Sequence, residues 1–173
     1  LDVSVQPAYF GGQLRSDEYV SIVRGTLDYS RATDHDHAVH LVQAHLLESL
    51  SGLGRTVIDF YFLRVRDAVE EYQIAGAMEA LEVARQDGHI RYLGILAEGP
   101  ALATLGVWQF HDGFDVILIG DDNAKQTLAP LALERRVGVI ADVSFVDAEI
   151  YPRILSVSSV EEVRSIREKT GPA

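Results

Sequence analysis

The sequence predicts an α/β domain, with parallel strands inside and helices outside. Three observations carry that prediction. Strand-like and helix-like segments alternate along the chain, which is the pattern of βα units. A strand-like run such as Val57 to Leu63 is mostly apolar, as expected when both faces of a strand are covered. The length of 173 residues suits one domain with a sizeable core, and no linker or composition shift divides it, so 1–173 reads as a single unit.

Taken in order, Val3-Ser4-Val5-Gln6 reads as a short opening strand, stopped by Pro7 and then Gly11-Gly12. Residues from about Ser16 to Asp36 read as a polar, irregular loop, long enough to imply a functional or mobile segment. From Ala38 to Leu53 the apolar positions Val39, Val42, Leu46, Leu50 and Leu53 recur at helical spacing, and Gly52 and Gly54 end the helix. Val57 to Leu63 is the next strand. A second helix, about Val69 to Asp87, carries Ile74, Met78, Leu81 and Ala84 on one stripe and stops at Gly88.

Ile90 to Ile95 is a strand, followed by a helix near Pro100 to Phe110, whose Pro100 suits a first turn that needs no N–H there. Phe114 to Ile119 is a strand. A helix from about Asn123 to Arg135 turns Leu128, Leu131 and Ala132 inward. Val137 to Ala141 and Ile154 to Val157 are further strands. The last helix starts at Ser158 or Ser159, where Ser159 and Glu162 form a capping box, and it carries Val160, Val163 and Ile166 inward.

Composition excludes several function classes. The net charge of -11 opposes binding to nucleic acid or anionic membrane, both of which need a Lys/Arg surface. There are no cysteines, hence no disulfide, thiolate metal site or cysteine nucleophile. No apolar run reaches the ~18 residues of a membrane span, and no basic-then-apolar leader opens the chain, so a cytoplasmic location is expected. Asp34-His35-Asp36-His37, with His40 and His45, is the one metal-like cluster. It falls where a helix begins, and Asp34 or Asp36 is a natural N-cap, so no metal is expected.

Several segments resemble the aldo-keto reductases. They are Leu47-Glu48-Ser49-Leu50-Ser51-Gly52-Leu53-Gly54, Val57-Ile58-Asp59-Phe60-Tyr61, Ala77-Met78-Glu79-Ala80-Leu81 and Gly88-His89-Ile90-Arg91-Tyr92-Leu93-Gly94-Ile95. Leu128-Ala129-Pro130-Leu131, Arg136-Val137-Gly138-Val139-Ile140-Ala141 and Ser158-Ser159-Val160-Glu161-Glu162-Val163 continue the match. The resemblance implies a (β/α)₈ barrel that reduces carbonyls with NAD(P)H. Laid on that barrel, the chain starts at the third strand and holds roughly six of eight strands, a shortened and incomplete barrel. The open edges that result are expected to be covered by self-association into a homo-oligomer.

The family's chemistry is replaced at each position the resemblance reaches. Its catalytic Lys falls on Gln6 and its His on Arg64, a permanent cation that donates hydrogen bonds but relays no proton. The Ser-Asn pair that holds the nicotinamide amide becomes Leu96-Ala97, a later Gln becomes Leu118, and the stacking aromatic becomes Asp142. The phosphate-clamping segment becomes Ser156-Val157-Ser158-Ser159.

The expectation is therefore a scaffold that has lost reduction, needs no cofactor, and binds or converts a small molecule by non-redox lyase, cyclase or isomerase chemistry. Its catalytic groups would be Arg64, Asp142 and Asp121, with Gln6, Tyr9, Phe10, Arg66 and Glu98 binding substrate at the C-terminal ends of the strands. Two alternatives stand beside it. One is an NADP-dependent reductase seen as an incomplete chain, and the other is a structural partner assembling through open barrel edges.

Overall fold

In a computed structural model, the backbone is described for residues 3–10, 13–120, 122–142 and 153–154, and the side chains for residues 20–120 and 126–140. Among the described residues the chain builds a seven-stranded sheet whose spatial order follows the sequence. The strands are β1 (Val3–Phe10), β2 (Gln13–Arg24), β3 (Ile58–Val65), β4 (Ile90–Ala97), β5 (Val116–Ile119), β6 (Gly138–Asp142) and β7 (Arg153–Ile154). From β2 to β7 every neighbour is parallel, while β1 runs antiparallel to β2. Helices α1 (His35–Leu53), α2 (Glu71–Gln86), α3 (Ala101–Phe110) and α4 (Asp122–Glu134) make the crossovers. This is an incomplete (β/α)₈ arrangement: among the described residues the sheet has two ends and does not close.

Side chains alternate across the strands and so make two layers. Tyr61, Leu63, Leu93, Ile95 and Ile117 face the helices, packing with Val42, Leu46, Ile74, Leu81 and Trp108. Ile22, Phe62, Leu96, Val116 and Leu118 form a separate inner cluster where a barrel has its interior.

Most elements stand where the apolar spacing puts them. Asp34 caps α1 by accepting the His37 N–H at 2.8 Å, and Gly54 ends that helix in the left-handed region at φ 61. Glu70 and Gln73 form a reciprocal capping box at the start of α2, and the Gln73 amide also donates to the Ser30 and Ala32 carbonyls. Pro100 stands at the N-cap of α3. The expected final helix and its Ser159–Glu162 capping box lie outside the described residues.

The beginning of the chain differs from the reading. The expected loop from Ser16 to Asp36 is strand β2 up to Arg24, then a 3₁₀ turn at Asp28–Arg31. Its polar Ser21, which breaks the apolar run, is satisfied by a residue far along the chain. Asp59 accepts both the Ser21 N–H and hydroxyl at 2.9 Å, and the Asp59 N–H donates to the Ser21 hydroxyl. Pro7 does not stop the opening strand either: among the described residues β1 pairs only with β2, so an imino acid is tolerated there, with a register shift between Pro7 and Tyr9.

Candidate active site

The C-terminal ends of β3 and β4 bring three of the expected residues together. Arg64 is the seventh residue of β3 and lies opposite Leu96 of β4. Glu98 immediately follows β4, held by its own N–H, which donates to the Val65 carbonyl at 3.0 Å. The two side chains meet fork to fork: Arg64 Nε donates to Glu98 Oε1 at 3.0 Å and Nη2 to Oε2 at 3.1 Å. Arg66 adds a contact from Nη2 to Oε2 at 3.3 Å. Arg64 and Glu98 are 21% and 19% exposed, so this ion pair is much less screened than one on the open surface.

Two backbone features hold the pair in place. The buried Tyr29 hydroxyl donates to the Arg64 carbonyl at 2.7 Å. Gly99 packs so closely on the Arg66 backbone that a Cβ there would collide with the Arg66 carbonyl. Only glycine lets the chain leave β4 along this path.

The remaining expected residues are distributed differently. Arg64 was expected to meet Asp142 or Asp121, but its partner is Glu98 on the adjacent strand. The backbone of Asp142 ends β6, three strands from β3 and so about 14 Å away along the sheet. Asp121 lies outside the described residues, as do the side chains of Asp142, Gln6, Tyr9 and Phe10. The backbone of β1 nevertheless places the last three away from the strand ends. Gln6 is paired with Val20, roughly 13 Å along the strand before Arg24. Tyr9 and Phe10 pair with Leu14 and Gln13, at the opposite end of β2. Because β1 is antiparallel, its own end points away from the mouth of the sheet.

The parallel strand beside β3 is β2, and it ends at Arg24, in register with Phe62. Arg24 therefore stands at the C-terminal end of the strand beside β3, where the sequence reading had expected Gln6, and alternation puts it on the face of Ile22. The β-branched Val20, Ile22 and Val23 were the signal that could have found it.

A second group was missed as a site. Beyond the end of β2 lies a cavity of about 320 Å³, lined by Arg24, Asp28, His45, Glu48 and Arg64. His45 was read as part of a metal-like run, but α1 turns it to the sheet, where Nδ1 lies 2.9 Å from the buried Tyr61 hydroxyl. Burial holds the imidazole below its ordinary value and pushes the Tyr61 phenol up. Among the described residues no group of His, Asp and Glu is arranged to hold a metal.

Three positions to which the sequence resemblance assigned contacts with nicotinamide are apolar. Leu96, Ala97 and Leu118 are 4%, 2% and 0% exposed, inside the packed layers. None has a side chain that can bond a carboxamide, so the residues at these three positions do not fit that group.

No protein-family model matches the sequence, and no curated protein matches it. Solved structures do match. One is an aldo-keto reductase from Bacillus halodurans in its holo form, with a TM-score of 0.62 at 17% identity, over 78% of this chain and 62% of that one. Another is a Bombyx mori aldo-keto reductase in complex with NADP, with a TM-score of 0.53 at 18% identity, over 86% of this chain and 50% of that one. The chain thus spans between half and about three-fifths of the length of these structures. The expectation of a scaffold without a cofactor is corrected by this comparison, since a structure sharing the fold is in complex with NADP.

Proposed function

Because the chain has the aldo-keto reductase fold in part, we propose that it is a portion of a reductase of that type, reducing a carbonyl compound with a nicotinamide nucleotide. The carrying observation is the likeness of fold to the Bacillus halodurans holo structure, with the Arg64–Glu98 pair at the strand ends where barrels of this kind keep their sites. The nucleotide supplies hydride when bound. The chain's own part is to orient the substrate: Arg64 presents a fixed donor to a carbonyl or anionic oxygen, and Glu98 sets the direction of Arg64. Because Leu96, Ala97 and Leu118 are apolar, the nucleotide is gripped by groups other than those three side chains. A cytoplasmic location and association into a homo-oligomer belong to the same proposal. Among the described residues no helix is long and apolar enough to cross a membrane.

Titrating the intact protein with NADPH and following nucleotide fluorescence tests this reading. Micromolar binding, followed by oxidation of the nucleotide when carbonyl compounds are added, is the expected result. A protein that leaves the fluorescence of NADPH unchanged, in every oligomeric form it adopts, would refute it.

A further inference from the structure

We propose that Gln73 and Tyr29 are positioning residues for Arg64, acting in series through the 3₁₀ turn at Asp28–Arg31. The inference rests on the reading of Arg64 as the group that orients the substrate, and it names what holds that group in place.

The need for such a device arises where β2 ends. Its last residue, Arg24, is in register with Phe62, whereas β3 runs on to Val65. Carbonyls alternate between the two sides of a strand. The Phe62 carbonyl faces β2, since it accepts the Gly25 N–H at 2.8 Å, and the Val65 carbonyl faces β4, since it accepts the Glu98 N–H at 3.0 Å. The Arg64 carbonyl therefore faces the side that β2 has just left. A buried carbonyl without a donor is costly. Here the Tyr29 hydroxyl donates to it at 2.7 Å, doing what a strand N–H does one pleat earlier.

Tyr29 can serve only if the turn that carries it is fixed. Its side chain is buried in the helix-side layer. The Ser30 N–H donates to the Leu27 carbonyl and the Ala32 N–H to the Tyr29 carbonyl, both at 3.1 Å, which sets the shape of the turn but not its place. The place is set by α2. Gln73 Nε2 donates to the Ser30 carbonyl at 2.9 Å and to the Ala32 carbonyl at 3.1 Å, just past Tyr29.

The other end of that amide, Oε1, accepts the Glu70 N–H at 2.9 Å, so the nitrogen is the end turned to the carbonyls. Capping α2 needs Oε1 alone. The two bonds from Nε2 are additional to it, and they reach a segment 43 and 41 residues away. Gln73 thus fixes the turn, the turn fixes Tyr29, and Tyr29 fixes the Arg64 backbone, whose guanidinium meets Glu98 at 3.0 and 3.1 Å. A small shift at the start of so long a side chain is carried to its tip, where orientation of a bound group is decided.

The test reads the Arg64 guanidinium directly. In heteronuclear NMR spectra of the intact protein, the Arg64 Nε–H signal is assigned by its loss in Arg64→Lys, and its exchange with water is measured. Bonded to Glu98, it is expected to exchange slowly. Tyr29→Phe removes the hydroxyl alone and should speed exchange by about tenfold, the effect of one buried hydrogen bond. Gln73→Glu keeps the acceptor for the Glu70 N–H but loses the donor, and Gln73→Met loses the donor without adding a charge; both should speed exchange similarly. Tyr29→Phe combined with Gln73→Met should exchange no faster than Tyr29→Phe alone, because the two act in series. Ile117→Val loosens the same layer without touching these bonds, and should leave the signal unmoved. An unchanged signal in Tyr29→Phe or in both Gln73 variants, effects that multiply in the double variant, or equal acceleration in Ile117→Val would each overturn the assignment. No nucleotide or carbonyl compound enters this measurement, so failure to bind NADPH would bear on the reductase reading alone.

Discussion

Replacing Glu98 by Ala removes the single acceptor shared by two arginines, and the structure sets the size of the effect. Exposed ion pairs contribute about 0–1 kcal/mol. Breaking a fully buried one costs about 3–5 kcal/mol, because the surviving charge is left without a partner. The Arg64–Glu98 pair lies between these limits: both side chains are about four-fifths buried, with two parallel bonds at 3.0 and 3.1 Å. Arg66, at 55% exposed, returns to water with little loss. The expected destabilisation is therefore about 2 kcal/mol, most of it from Arg64. For a domain of this size that lowers the melting temperature by roughly 4–8 °C. Urea unfolding should show a lower midpoint with an unchanged slope, since the surface exposed on unfolding is the same. A Glu98→Ala chain within about 0.5 kcal/mol of the original would refute the reasoning and make the pair a surface contact.

Asp59→Ala should cost about 3 kcal/mol in urea unfolding, because Asp59 is 9% exposed and accepts from the Ser21 N–H and hydroxyl as well as from Arg55 and Arg91; a loss under about 1 kcal/mol would mean that solvent replaces these bonds. Gly99→Ala should lower the melting temperature and weaken substrate binding together, since the added methyl displaces the Arg66 carbonyl beside Glu98; calorimetry and binding on one sample would detect separate behaviour. His45 gives a pH dependence of definite sign. Its imidazole is held below the ordinary 6.5, chiefly by desolvation, with Glu48, Arg64 and Asp28 acting on it and Tyr61 bonded to it. Below 6.5 the unfolded chain takes up a proton that the folded one refuses, so stability is full above that pH and falls as pH drops toward the lowered folded value. His45→Gln should flatten this part of the stability profile, and an identical slope in both proteins would count against a buried neutral imidazole.

The alternating elements from α1 onward were legible because each is specified locally. Val42, Leu46 and Leu50 recur at helical spacing, Asp34 caps, Gly54 stops, and Ile58 to Val65 is apolar enough to lie under helices on one side and the inner layer on the other. Arg64, Arg66 and Glu98 could likewise be named as strand-end residues, since each lies at or just past the end of a parallel strand.

What the sequence could not disclose depends on partners far along the chain. The strand identity of β2 rests on Asp59, 38 residues away, satisfying Ser21. The direction of β1, which removes Gln6, Tyr9 and Phe10 from the strand ends, is decided by its pairing to β2. That Arg64 pairs with Glu98 follows from strand order, which sets β4 directly beside β3. Among the described residues local periodicity thus determined which segments are helices and most of the strands, because that signal is carried within a few residues. Only the assembled sheet decided which charged ends meet, because pairing across strands depends on register and direction, and these are set by contacts between distant residues.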